Sequence, residues 1–191
     1  MQPITIVLTE SWSDWEVSVL GGVGRAFYGA DIRFTSPDGD SLTSAAGLQV
    51  TDLARFEAPS TGIVVICGGP AFESDMPPEI ADRLRAAWDA GCTLAAICGG
   101  TIALARAGLL DGAQHTSNGP GYLDGHVPEY KGTAHYIDQP QAVATDRIIT
   151  APAPAPASFA AEVLKAAGLD VEAADGICAM LAAEHAVQKT T

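Results

Sequence analysis

Cys98 is the residue whose setting most invites chemistry. It closes an apolar run, Cys92-Thr-Leu-Ala-Ala-Ile97, and leads through Gly99-Gly100 into Thr101-Ile-Ala-Leu-Ala-Arg-Ala107. A nucleophile on a sharp strand-to-helix turn is lifted clear of the sheet, and small neighbours spare the tight backbone from clashes. The helix beyond offers unpaired N–H groups and a positive dipole end, both favouring thiolate. Cys98 is therefore expected to titrate below the roughly 8.5 of a free cysteine. Such a sulfur serves nucleophilic or redox chemistry. The competing reading is a small buried core residue, which is the expectation for Cys67, Cys92 and Cys178, although Cys67 borders Gly68-Gly69.

The four cysteines form no CxxC pair, and His115, His126, His135 and His185 do not stand at zinc-ligand spacing with them. No metal is expected from these spacings, nor a disulfide framework in a chain with this much core.

The elements that must position Cys98 read as alternating strands and helices. Ile4-Thr-Ile-Val-Leu8 is a short β-branched run with the mark of a buried strand. Asp14 is the expected N-cap of a helix with apolar residues at Trp15, Val19, Leu20, Val23 and Phe27, ended by Gly29. Asp31–Thr35 reads as a second strand, Ser36-Pro-Asp-Gly39 as a turn, and short weak segments follow near Leu42 and Leu48–Val50. Gly62–Ile66 is another buried strand, entering Cys67-Gly-Gly-Pro70. A helix is expected from Pro77 to Gly91, then the strand into Cys98 and the helix stopped by Gly108.

His115 to Tyr136, rich in Gly, Asn and Pro, is expected to loop over the sheet's edge. Ala142–Ala144 and Arg147–Thr150 read as a final strand pair. Ala151-Pro-Ala-Pro-Ala-Pro156 is a stiff connector or a pocket wall. Ser158 is the expected cap of a helix over Phe159–Ala167, with a last helix near Val171–Glu184. This order predicts an α/β fold: a mainly parallel sheet covered by helices on both faces.

The chain has 191 residues, 48% hydrophobic and 17% charged, which suits one domain with a sizeable core. Ten Lys+Arg against 23 Asp+Glu give a formal charge of -13, which repels phosphate backbones and anionic lipid. Nucleic-acid and membrane roles are thus not expected. No apolar stretch approaches the roughly 20 residues of a membrane span. Met1-Gln-Pro-Ile-Thr5 carries no basic region before its apolar run, so the expectation is a protein of the cytoplasm without a secretory signal.

Several motifs occur together and in order. They are Asp14-Trp-Glu16 after the first strand, Cys67-Gly-Gly-Pro70, Ala95-Ala-Ile-Cys-Gly-Gly-Thr101, Ala103-Leu-Ala-Arg-Ala-Gly-Leu-Leu-Asp-Gly112 and His115-Thr-Ser-Asn118. Over about residues 3 to 170 the chain resembles the ThiJ/PfpI (Parkinson-protein) superfamily, in particular its bacterial class-I glutamine-amidotransferase-like members. The resemblance implies a single flavodoxin-like three-layer sandwich, a homodimer, and a reactive cysteine at the elbow. It places Glu16 beside the sulfur as the acid that donates a hydrogen bond or shuttles a proton. It also makes Gly68, Gly69 and Gly99 the backbone N–H donors of an oxyanion site. His115 stands where many members hold a histidine near the cysteine, and Asn118 and Tyr122 would line the substrate pocket; Trp12 packs at the sheet's end or a dimer contact, or shades that pocket from beside Glu16.

The chain also departs from these relatives. The family's proteases carry a histidine directly after the nucleophile, where this chain has Gly99. Glutamine amidotransferases complete a triad with a His-x-Glu near the C-terminus, whereas here that region is the Ala-Pro run. The isocyanide hydratases use aspartate and threonine where this chain has Glu16 and Gly99. The expectation is therefore neither peptidase nor glutaminase. It is an enzyme of the glyoxalase-like or hydratase/lyase type that the resemblance implies, without metal or organic cofactor, acting on a small electrophilic substrate through Cys98. The alternative is a stress-response redox sensor whose Cys98 oxidises to sulfinate without turnover. An idle scaffold dimer is the third reading.

Overall fold

The computed structural model describes residues 1–185. Among them, β1 (Ile4–Val7) is followed by a helical segment in three parts: α1 (Asp14–Ser18), a π-turn over Val19–Val23, and α2 (Gly24–Tyr28). Then come β2 (Ile32–Ser36), β3 (Leu42–Thr43), β4 (Gln49–Val50), β5 (Ala54–Arg55) and β6 (Ile63–Ile66). A 3-10 turn over Pro70–Glu73 leads to α3 (Ala81–Asp89), β7 (Thr93–Ile97), α4 (Gly100–Arg106) and α5 (Tyr122–His126). After a second 3-10 turn at Gly132–His135 the chain finishes with β8 (Val143–Thr145), β9 (Ile148–Ala151), α6 (Pro156–Ala166) and α7 (Val171–Ala182).

Seven strands form one sheet in the order β5-β2-β1-β6-β7-β9-β8, parallel except for the β8–β9 pair; β3 and β4 make a separate antiparallel ribbon. The strands are nearly continuous apolar runs because both faces of the sheet are covered. Side chains of alternating residues supply two cores. Ile4, Ile6, Ile63, Val65, Ala95 and Ile97 meet Leu20, Phe159, Val163 and Leu164 on one face. On the other, Val7, Val64, Ile66, Leu94 and Ala96 meet Leu84, Ile102 and Leu104. Each such buried Val, Leu or Ile contributes about 1.5–3 kcal/mol. This is the flavodoxin-like α/β sandwich, with helices on both sides.

The boundaries correct several expectations. Ser13, not Asp14, is the N-cap residue of α1; the Asp14 carboxylate instead accepts from the Ala46 N–H at 2.8 Å. The π-turn breaks the 3.6-residue period, so Trp15 and Phe27 are exposed while Leu20 is buried. Helix α3 starts at Ala81 rather than Pro77. Ser158 lies inside α6, whose first residue is Pro156. Its hydroxyl holds the Ala142 N–H at 2.9 Å. The final strand pair is formed, and the structure shows it to be antiparallel and at the sheet edge.

In this sheet β2 and β6 flank β1 on opposite sides, so the chain reverses direction across the sheet beside β1. Loops leaving the carboxyl ends of strands at such a switch point diverge and leave a crevice. Here the loop after β1 leads into α1 with Glu16, the loop after β6 carries Gly68-Gly69, and Cys98 directly follows the neighbouring β7. No helix among the described residues is long and apolar enough to cross a membrane.

Candidate active site

Cys98 occupies the left-handed backbone region at φ 55°, a conformation that costs a side-chain-bearing residue roughly 1–2 kcal/mol. The surroundings hold it there. Its N–H donates to the Ala151 carbonyl at the end of β9 (2.9 Å), and its carbonyl accepts from the Thr101 N–H (3.0 Å) and hydroxyl (2.6 Å). The glycines after it answer to close packing. A Cβ on Gly99 would lie 2.8 Å from the Gly69 carbonyl oxygen, and one on Gly100 would strike the Ile66 carbonyl. A side chain at position 99 would therefore have to displace the Gly69 backbone.

Glu16 sits in the first turn of α1, fully buried. Its Oε2 accepts from the Gly68 N–H at 2.8 Å, while Oε1 has no conventional partner. The carboxyl faces Cys98, and Gly68 is squeezed between them: a Cβ there would come within 2.7 Å of the Cys98 Cβ and strike the Glu16 carboxylate. Burial raises the pKa of Glu16 above the ordinary carboxylate range, against the opposing hydrogen bonds from Cys98 and Gly68.

The proton budget of the sulfur differs from the sequence expectation. Burial first, and the Glu16 charge second, push the Cys98 thiol up to about 12. The short α4 does not outweigh them. Two acids share one pocket, so the anions oppose each other and the pair's titrations are coupled. Its one-proton state has two forms. In one, a Glu16 carboxylate held by the Gly68 N–H faces the thiol; in the other, a thiolate held by Asn118 and the Gly99 N–H faces a carboxylic acid. Attack by sulfur on carbon then needs only a transfer from Cys98 to Glu16.

Asn118 reaches the sulfur directly, its Nδ2–H donating to Cys98 Sγ at 3.2 Å, and its Oδ1 accepts from the Ala153 N–H at 3.0 Å. The Ala-Pro run thereby becomes part of the site wall. Tyr122 donates its O–H to Glu73 Oε1 at 2.5 Å, lies within hydrogen-bonding reach of Asn118, and feels the charge on Cys98. Burial and Glu73 raise its pKa, so it keeps its proton. Glu73 is a site residue the sequence did not reveal. It ends a 3-10 turn with no motif around it, and its Oε1 lies 3.4 Å from where a Cβ on Gly99 would stand.

The DJ-1/PfpI family matches residues 2–166. The chain belongs to that family. It is 33% identical over 182 residues to a Bacillus subtilis protein named "Uncharacterized protease YoaZ", covering 90% of this chain and 85% of that one. The DJ-1 superfamily protein Atu0886 of Agrobacterium tumefaciens shares 34% identity at a TM-score of 0.89, over 97% of this chain and all of that one. A thiJ/pfpI family protein of Bacillus anthracis shares 26% identity at a TM-score of 0.80, over 96% and 90%.

Within this DJ-1/PfpI fold, two expected site residues stand elsewhere and a third has another duty. His115 is fully buried; its Nδ1–H donates to the Ala113 carbonyl (2.7 Å) and its Nε2 accepts from the Tyr130 hydroxyl (2.5 Å). With Tyr130 and Tyr136 edge-on to the ring, it anchors the 115–136 segment and has no nitrogen left for a substrate. Trp12 packs into the core and borders a shallow apolar groove with Val17, Phe34 and Leu48, not the Cys98 pocket. Gly68 cannot be an oxyanion donor while its N–H is bound to Glu16. Cys67 is buried, its thiol pushed well up by burial, and Cys92 is buried against the Pro59 carbonyl. Among the described residues no cluster of three or more His, Cys, Asp or Glu could hold a metal ion.

His115→Phe tests the anchoring role. The change strands the Tyr130 hydroxyl and Ala113 carbonyl, so a stability loss of about 1–3 kcal/mol by urea unfolding is expected, with Cys98 alkylation little changed. Burial holds the His115 pKa below its ordinary 6.5 in the folded chain. Below that value the unfolded chain takes up a proton that the folded chain refuses, so wild-type stability is lost as the pH is lowered. The variant should lack that part of the acid slope.

Proposed function

We propose that the protein is a cysteine-dependent enzyme that adds Cys98 to the electrophilic carbon of a small carbonyl compound, with Glu16 carrying the proton. One observation carries this reading: a half-buried sulfur on a strained elbow stands beside a fully buried carboxyl whose second oxygen has no conventional partner. As the S–C bond forms, the thiol proton moves to Glu16 and the carbonyl electron pair moves onto oxygen. Gly69 and Gly99 are the backbone groups beside that oxygen, and Glu16 returns the proton to it. With a 2-oxoaldehyde, proton transfer between the two carbons oxidises one as it reduces the other. Water then releases a 2-hydroxy acid, and no external oxidant or reductant enters.

One feature disfavours peptide cleavage by a cysteine–histidine pair: both ring nitrogens of His115 are taken up by Ala113 and Tyr130. Peroxide sensing would draw on the same Cys98–Glu16 proton transfer, so turnover, and not the acidity of the sulfur, separates the two readings. A homodimer belongs to the same proposal and is carried by the family resemblance alone. Counting glyoxal and methylglyoxal molecules consumed per chain, with intact mass read after mild peroxide, tests it. Many turnovers are expected. No turnover with a selective gain of two oxygens at Cys98 would replace it with the sensor.

A further inference from the structure

The rim of the Cys98 site carries a second carboxyl that the proton transfer does not use. Glu73 follows Gly68-Gly69 on the same strand-end loop, and its Oε1 lies 3.4 Å from where a Cβ on Gly99, the residue after the nucleophile, would stand. Tyr122 fixes that oxygen with its O–H at 2.5 Å, and Tyr122 in turn reaches Asn118, which holds Cys98 Sγ at 3.2 Å. A linked row of side chains thus runs from Glu73 to the sulfur. Behind the sulfur lies Glu16, fully buried with Oε1 unpartnered. Among the described residues no lysine, arginine or histidine forms an ion pair with either carboxyl. An open groove of about 590 Å³ extends past Asn118 between Asp138, Gln139 and the Pro152–Pro154 wall, and its lining contains no cationic side chain among the described residues.

We propose that Glu73, tethered by Tyr122, is a charge filter for Cys98: it admits uncharged small carbonyls such as 2-oxoaldehydes and turns away 2-oxo carboxylates. The inference rests on the reading of Cys98 as a nucleophile toward small carbonyls and adds the substrate class. An anion approaching the sulfur meets Glu73 at the rim, and the groove past Asn118 offers it no cationic side chain among the described residues. The Tyr122 hydroxyl, whose proton is already committed to Glu73, keeps the charge in place and offers no strong donor to a competing anion. A neutral dicarbonyl passes without that repulsion.

Alkylation reads the filter without requiring turnover. Rates of Cys98 modification by neutral iodoacetamide and anionic iodoacetate are measured by peptide mass in wild type and Glu73→Gln, each normalised to a small free thiol. The glutamine keeps an acceptor oxygen for Tyr122 and deletes the charge, and Glu73 is exposed, so the fold is retained. The expected result is a rise of roughly fivefold to tenfold in the iodoacetate rate, with iodoacetamide changed less than about twofold. Methylglyoxal and glyoxylate should show the same narrowing in kcat/KM. An unchanged iodoacetate-to-iodoacetamide ratio overturns the filter even if methylglyoxal is consumed. A narrowed ratio without any carbonyl consumption upholds the filter and removes the catalytic reading instead.

Discussion

Cys98→Ser is expected to lose small-carbonyl turnover by on the order of a thousandfold or more in kcat/KM, with the fold intact. The serine hydroxyl is a far weaker acid than the thiol, and a carboxylate is too weak a base to take its proton as carbon is attacked. Stability should change little, because the residue's backbone bonds to Ala151 and Thr101 do not involve the sulfur. Cys178→Ser is the control: that residue lies on α7, away from the elbow, and its replacement should leave the rate nearly intact. Equal losses in the two variants would remove Cys98 from the centre of the chemistry.

Glu16→Gln is expected to move two observables in opposite directions. Turnover should fall by roughly 10²–10⁴-fold, the span of a lost general base. Thiolate should nevertheless form more readily, because the Glu16 charge is one cause of the rise of Cys98 to about 12. The alkaline limb of alkylation by iodoacetamide therefore moves to lower pH in the variant. The sign for wild-type turnover follows from burial, which raises the Glu16 pKa. The base form is the carboxylate, so activity is lost as pH falls through that raised value, and the variant lacks this limb. If turnover rose together with thiolate formation, Glu16 would be an electrostatic brake and not a base.

The legibility of this site in the sequence follows the range over which each feature is determined. The Cys98 elbow was readable because strand, nucleophile, small residues and helix are contiguous, and local packing dictates all of them. Asn118 and Tyr122 were reachable only by resemblance, since the 98–118 contact is closed by the tertiary fold. Glu73 escaped because it sits on a single 3-10 turn with no periodicity. His115 misled for the opposite reason. A histidine in a polar loop reads as accessible, yet the loop folds inward and its ring is consumed by Ala113 and Tyr130.

The thiol's acidity shows the same divide. A helix N-terminus is visible in sequence and argues for thiolate, whereas burial beside a second acid is a property of the folded pocket and outweighs it. Gly68 was placed correctly next to the nucleophile but with the wrong duty, because its N–H is directed at Glu16 and not at a substrate oxygen. The parallel sheet was legible from its β-branched runs. The capping residues were not: nothing local distinguishes Ser13 from Asp14 as the start of α1, or Pro156 from Ser158 as the entry to α6.

The most direct test of the account is to quench the wild-type protein during methylglyoxal consumption and locate the adduct by peptide mass. The account predicts one substrate-derived addition on the Cys98 peptide that vanishes once substrate is exhausted. Substrate consumed while Cys98 stays unmodified, or an adduct on Cys98 that persists at one per chain without turnover, would contradict it.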